Sequence, residues 1–443
     1  MTEQIHVDAV ISPKWIVPIH PRGQILEDCG IAVLDGEIVA VEPNDRIEKS
    51  FVTKKHFHLP QHLVMPGLIN AHGHAAMTLL RGLADDLPLM TWLQEYIWPA
   101  ESQWVDESFV KDGTELAIAE MLKSGTTCFS DMYFFPEVAA RIADQSGIRA
   151  QICFPVLDFP TAWARDADEY IHKGLKLLEK YLTHDTIKIA FGPHAPYTVS
   201  DEPLRQIATL SKQRNANIQI HLHETSHEVN ESVKNFGVRP IERLENLGLL
   251  GPTTQCVHLT QLTDNDIEIL RQSGASAIHC PESNMKLASG TCPVSSLIDA
   301  GIATGLGTDG AASNNDLDMF GEMFTAAMLA KLNDNNAASM DAWQTLHMAT
   351  LGGAKALGLE QRVGSIEAGK KADVIAIQLN SINSYPCYNI PSTLVYNNRK
   401  LKVTHSWVNG KLLMENEELI HFNEAQLTST AKKWQSKIQG EKQ

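Results

Sequence analysis

Cysteine is scarce in this chain and does not pair off. Its seven residues are odd in number, scattered from Cys29 to Cys387, and mostly set in apolar runs. That excludes a disulfide framework and fits reduced, buried thiols in a cytoplasmic protein. No apolar run reaches membrane-spanning length. The opening MTEQIHVDAVISPKWIV lacks the basic segment and apolar core of a signal peptide. Positive charge is short as well: 37 Lys and Arg stand against 53 Asp and Glu, a formal net charge of -16, with no lysine-arginine cluster. Nucleic acid and anionic membrane are therefore poor partners. Low-complexity segments and repeats of about 20 to 50 residues are also missing.

What is present is a globular composition, 43% apolar and 20% charged, spread over 443 residues. That length calls for one large domain and a smaller one. The middle of the chain alternates β-rich runs with amphipathic segments. Eight strands are expected in HLVMPGLINAH, GTTCFSD, RAQICFPVL, IKIAFGPH, NIQIHLHE, TQCVHLT, ASAIHCP and ATGLGTD. Between them, DGTELAIAEMLKSG, EVAARIADQSG, EPLRQIATLSKQRN and TDNDIEILRQSG carry apolar residues at helical spacing, and several stop at glycine. A doubly wound sheet accounts for the alternation too, but a count of eight favours an α/β architecture of the TIM-like (β/α)8 barrel type. The ends read differently. VDAVISPKWIVPI, GIAVLDGEIVAVEP and KVTHSWVNGKLLMENEELI are short strands around DG and NG turns. The expectation is a small β-sandwich domain formed by both termini, residues 1–62 and 367–443, around a barrel at 63–366. A polar, partly exposed helix closes the chain.

In a parallel barrel the C-terminal strand ends form the active face. Those ends carry His72 and His74, His194, His221, His223 and Glu224, His258, His279, and Asp309. On a strand, positions i and i+2 share a side, so His72 and His74 can converge on one point, whereas on a helix they diverge by roughly 200°. Imidazole is a common metal ligand, and His221 with Asp309 would complete a site with room for water. The spacing alone is weak, since His56 and His58 repeat it in the terminal β region. A single strand-end histidine such as His279 supports nothing by itself.

PGLINAHGH, HLHE, VHLT, HCPESNMKLASG, GLGTDG and GSIEAGKKADVIAI together resemble the amidohydrolase superfamily. Within it they are most similar to the 5-methylthioadenosine/S-adenosylhomocysteine deaminases and to chlorohydrolase and cytosine deaminase relatives. The resemblance spans nearly the whole chain. It implies one divalent metal ion held by His72, His74, His221 and Asp309: zinc suits the set, and iron or manganese fit the same ligands. It further implies Glu224 as the proton-transfer carboxylate, His258 beside the attacking water, and Asp309 as ligand and base. Glu101 would hold the ribose hydroxyls, with His194 near the sugar. A lysine that binuclear members place at the end of strand four is missing, because FGPHAP stands there and Lys188 lies too far back.

The activity implied is hydrolytic deamination of an adenine nucleoside, namely methylthioadenosine, adenosine or S-adenosylhomocysteine, by a homo-oligomer such as a dimer or tetramer. Guanine, cytosine or a chlorinated s-triazine is the alternative ring. A metal or nucleoside sensor and a binuclear amide hydrolase are more distant alternatives. Arginines that relatives place between strands three and four for an amino-acid carboxylate are reduced here to Arg165, flanked by Asp166 and Asp168. Uncharged 5′ groups are therefore expected to suit the site better, with Trp163 and Phe159 as packing candidates. Pro281 to Gly290 is expected to be a loop over the metal side, with Ser283 and Asn284 offering ligand contacts.

Overall fold

The computed structural model describes residues 4–397 and 401–440. Eight parallel strands run in chain order around a barrel. They are β1 (Leu68–Gly73), β2 (Thr126–Met132), β3 (Arg149–Val156), β4 (Ile187–Pro193), β5 (Ile218–Leu222), β6 (Thr254–His258), β7 (Ser276–His279) and β8 (Thr304–Leu306). The strands are buried almost throughout because helices cover them from outside, which explains their near-continuous apolar runs. Four of those helices, Glu107–Lys123, Pro136–Ser146, Asp201–Arg214 and Asp264–Ser273, stand where the apolar periodicity puts them. The last stops at Gly274, whose φ of 75° suits a residue without a side chain.

The barrel closes between β8 and β1. The Asp309 amide donates to the His72 carbonyl at 3.1 Å, and Asn70 bonds the Thr308 amide at 3.0 Å and its hydroxyl at 2.7 Å. The two strands approach so closely that a Cβ on Gly307 would sit 2.8 Å from the His72 nitrogen. Glycine is required there by space.

Both termini join one nine-stranded sheet, in which Ala9–Ile16, Cys29–Leu34 and Glu37–Pro43 from the start of the chain meet Val374–Gln378, Lys402–Val408 and Lys411–Glu415 from its end. The expected run HLVMPGLINAH is two strands. His56–Pro66 belongs to the terminal sheet and pairs with Val374–Gln378, while Leu68–Gly73 begins the barrel after a break at Gly67. Residue 62 therefore lies inside a strand, and the chain passes between the two units at Pro66 and Gly67. The closing helix, Glu424–Gly440, buries Trp434 and Ile438, and the Trp434 ring meets Phe109 edge-on.

Candidate active site

His72 and His74 leave β1 on one side, as their spacing requires, and meet His221 from β5 and Asp309 just past β8. One ligating atom from each lies within 4.8 Å of all the others. The hydrogen bonds settle what those atoms are. His72 Nδ1 donates to Gln219 Oε1 at 2.8 Å, His74 Nδ1 to the Met132 carbonyl at 2.6 Å, and His221 Nδ1 to the His194 carbonyl at 2.7 Å. With each Nδ1 committed as donor, each ring turns the Nε2 lone pair inward. The Nε2 atoms of His72 and His221 then face one another at 3.2 Å, two acceptors with no proton between them.

Asp309 Oδ1 stands 3.4 Å from His72 Nε2 and 3.1 Å from His74 Nε2. Facing lone pairs beside a buried carboxylate fit a divalent cation, and oriented imidazoles are what metal ligands need. Burial lowers the pKa of His72 and lowers that of His221 further, so both favour the neutral form. Burial opposes charge on His74 as well, but the bond and charge from Asp309 outweigh it and raise its pKa to about 9. The cluster thus favours positive charge at that point.

Asp309 is held from its other side. Its Oδ2 accepts from Ser283 at 2.7 Å and Ser313 at 2.8 Å. Burial raises its pKa, but the bonds from His72 and His74 win and hold it well below the usual carboxylate range. His258 Nδ1 donates to Asn284 Oδ1 at 2.9 Å, which turns its Nε2 inward, 3.9 Å from Glu224 Oε2. Asp309 and His258 sit at φ of 62° and 77°, backbone positions that side chains disfavour and that cluster at working sites.

Glu224 is clamped through its peptide. Glu228 accepts its amide at 2.8 Å and that of His223 at 2.9 Å, while the Thr260 hydroxyl donates to its carbonyl at 2.6 Å. The Glu224 carboxyl itself has one weak hydroxyl contact, Ser289 at 3.4 Å. Burial first, then the Asp309 charge, raises its pKa to about 8. Glu101, on the helix Trp98–Trp104, also faces the cavity. Burial pushes it up to about 7 against the pull of the neighbouring Tyr133 hydroxyl and His74. His194 lines the cavity with Nδ1 bonded to Thr198 at 3.0 Å, and burial lowers its pKa to about 3. Together these groups border a cavity of about 440 Å³, enough for a nucleoside-sized molecule.

The structure corrects two expectations, for the 281–290 segment and for Trp163, and leaves Arg165 and His223 outside the site, as their sequence neighbours suggested. Pro281–Lys286 is a short helix, and Ser283 and Asn284 are buried behind Asp309 and His258, so they orient those side chains without lining the cavity. Trp163 is buried with its indole N–H on Glu137 at 3.1 Å, so of the two packing candidates only Phe159 reaches the cavity. Arg165 points to solvent, its side chain 80% exposed, and bonds Asp166. His223 donates through Nδ1 to the Gln261 carbonyl at 3.1 Å and accepts the Ile241 amide on Nε2, which leaves no ligating atom free.

Gln219, Ser313, Thr260 and Glu228 escaped the sequence reading. Only Glu228 left a trace, because Thr225-x-x-Glu228 has the spacing of a helix capping box. Thr225 does cap the helix Ser226–Phe236, but the Glu228 carboxylate reaches past it to residues 223 and 224.

A closed parallel barrel with three inward imidazoles and an aspartate at its mouth defines a metal-dependent hydrolase, and the chain belongs to the amidohydrolase family. The family model matches residues 63–413. Among curated relatives, a 5-methylthioadenosine/S-adenosylhomocysteine deaminase of Saccharophagus degradans is 54% identical over 442 residues, covering 100% of this chain and 99% of the relative. A 5′-deoxyadenosine deaminase of Methanosarcina acetivorans is 38% identical, covering 96% of this chain and 97% of its own. Among solved structures, a zinc-bound adenosine deaminase from Xanthomonas campestris superposes with a TM-score of 0.97 at 45% identity, covering 99% of this chain and all of that one.

Proposed function

We propose that the protein is a hydrolytic deaminase of adenine nucleosides, 5′-methylthioadenosine first among them, that releases ammonia and the inosine analogue. The observation that carries this reading is a juxtaposition in one cavity. Four ligating atoms converge beside a second carboxyl, Glu224, whose peptide is clamped on both sides while its side chain is left almost free. The names of the relatives at 54% and 38% identity support an adenine ring as the substrate.

His72, His74, His221 and Asp309 would hold the cation, with zinc favoured by the donor set. Such an ion supplies Lewis acidity that brings the pKa of water down toward about 7. The chain's own groups do the rest. His258, its Nδ1 committed to Asn284, accepts a hydrogen bond from the attacking water on Nε2 and aims it at C6. Asp309 takes the proton that the water loses. Glu224, kept protonated near neutral pH by burial, delivers its proton to ring N1 as C6 becomes tetrahedral. The proton on Asp309 then passes to the amino group, the C6–N bond breaks and ammonia departs, while the C6 hydroxyl returns its proton to Glu224 and becomes the carbonyl of the inosine analogue. Glu101 would receive the ribose hydroxyls, with His194 beside the sugar.

A cytoplasmic homo-oligomer, a dimer or tetramer, belongs to the same reading. The free cysteines suit a reducing compartment, and no helix among the described residues is long and apolar enough to cross a membrane. Glu224→Gln tests the mechanism. Glutamine keeps the shape and cannot give up the proton, so kcat should fall by about 10²- to 10⁴-fold at unchanged zinc content. Near-normal ammonia release by that variant would remove Glu224 from the reaction.

A further inference from the structure

The names of the relatives join two substrates that differ in one respect: a methylthio group at the 5′ carbon, or a thioether that ends in a zwitterionic amino acid. The cavity distinguishes between them. Its metal end is polar, and Glu101 marks where a ribose would lie. One helical turn before Glu101, on the same face, stands Trp98, whose ring meets Phe159 with centroids 6.2 Å apart. Leu89, Leu93 and Leu157, each less than one-tenth exposed, complete this wall.

Among the described residues that line the cavity none is lysine or arginine, and the three carboxyl side chains there, Glu101, Glu224 and Asp309, offer an anion no ion-pair partner. Arg165, the one arginine in the loop that carries Phe159, turns away to Asp166 and Glu169. Lys173, on the following helix, is held by Glu169 and the Trp163 carbonyl.

We propose that the wall formed by Trp98, Phe159, Leu89, Leu93 and Leu157 is a subsite for an uncharged, apolar 5′ substituent, and that it selects methylthio and deoxy nucleosides against S-adenosylhomocysteine. This rests on the adenine-nucleoside reading above. A carboxylate brought against this wall gives up part of its water and meets no lysine or arginine among the described lining residues. A thioether methyl loses nothing by leaving water, and its sulfur gains contact with the two aromatic rings.

The experiment compares kcat/KM of the zinc-loaded wild-type enzyme for 5′-methylthioadenosine, 5′-deoxyadenosine, 5′-butylthioadenosine and S-adenosylhomocysteine. The butylthio compound matches the homocysteine arm in length without its charges, so it separates charge from size. Expected is a value for S-adenosylhomocysteine more than about tenfold below methylthioadenosine, with butylthioadenosine within about tenfold of it. S-adenosylhomocysteine within that tenfold, or butylthioadenosine falling as far as it does, overturns the proposal. In Phe159→Arg the preference for methylthioadenosine over S-adenosylhomocysteine should shrink, and an unchanged ratio would show that this wall does not meet the 5′ arm. Failure of all four compounds to release ammonia would instead sink the underlying reading.

Discussion

The two ends of the barrel bury polar groups to opposite purposes. At the N-terminal end, Arg149 opens β3 and pairs with Asp373, which precedes the terminal-sheet strand Val374–Gln378; both side chains are 2% exposed. The pair itself is fully bonded. Arg149 Nε and Nη2 donate to the two Asp373 oxygens at 2.7 and 3.0 Å, Nη1 donates to the Asp185 carbonyl at 3.1 Å, and the Asn409 amide adds a bond to Asp373 at 2.7 Å. At the mouth, the ligating side chains are anchored by hydrogen bonds behind them and turned toward one another in front. One ligating atom each of His72, His74, His221 and Asp309 converges on one point, and the Glu224 carboxyl faces the cavity beside it. A closed network fastens two structural units together. An open one, anchored behind, is ready to bind.

Breaking the closed end should have the larger effect on stability and none on chemistry. Arg149→Ala leaves Asp373 buried and unpaired, so unfolding in urea should show a loss of about 3–5 kcal/mol. Activity per folded, zinc-loaded molecule should be unchanged. A collapse of kcat in the remaining folded enzyme would show that the fastening also shapes the mouth.

Loosening a support at the open end should do the reverse. Glu228→Ala frees the amides of residues 223 and 224 and lets the Glu224 peptide move. A loss of about 10- to 100-fold in kcat is expected, the range seen when an outer support of a metal site is removed. KM and zinc content should stay near wild type. Glu228→Gln, which still accepts through one oxygen, should recover part of the loss. If the alanine variant lowers melting temperature and leaves kcat alone, Glu228 is a helix cap and nothing more.

The contrast also separates what the sequence disclosed from what it hid. His72 and His74 were legible because a strand places i and i+2 together, and no tertiary knowledge is needed for that. The eight strands were legible because burial on both faces writes a continuous apolar run. Gln219 was not, since a lone glutamine in such a run carries no mark of the imidazole it holds from across the barrel. The break at Gly67 was hidden for a related reason: two strands of different sheets, one residue apart, read as one apolar stretch. Phe159 and Trp163 lie four residues apart in one loop and look alike. Only packing against Glu137 turns the second inward, away from the cavity. The apolar wall depends on segments near 90 and 158 meeting, which no local pattern records.

The smallest effect concerns the terminal sheet, where a half-buried histidine lies against a buried one. His62, on the strand His56–Pro66, lies beside His405, with ring centroids 6.0 Å apart. Burial, and then the neighbouring His405, lower the His62 pKa from 6.5 to about 4. The sign follows from linkage. The unfolded chain binds a proton on this residue at higher pH than the folded one does, so acid favours unfolding. The contribution is complete above the ordinary histidine value and is lost progressively as pH falls from there through about 4. Wild type should therefore lose melting temperature between pH 7 and pH 4 faster than His62→Gln, which has nothing to titrate at that position. The mouth histidines titrate alike in both proteins, so the difference between the two curves isolates this ring. Parallel curves would mean that His62 finds water or a partner on protonation, and that the terminal sheet opens there more readily than the barrel does.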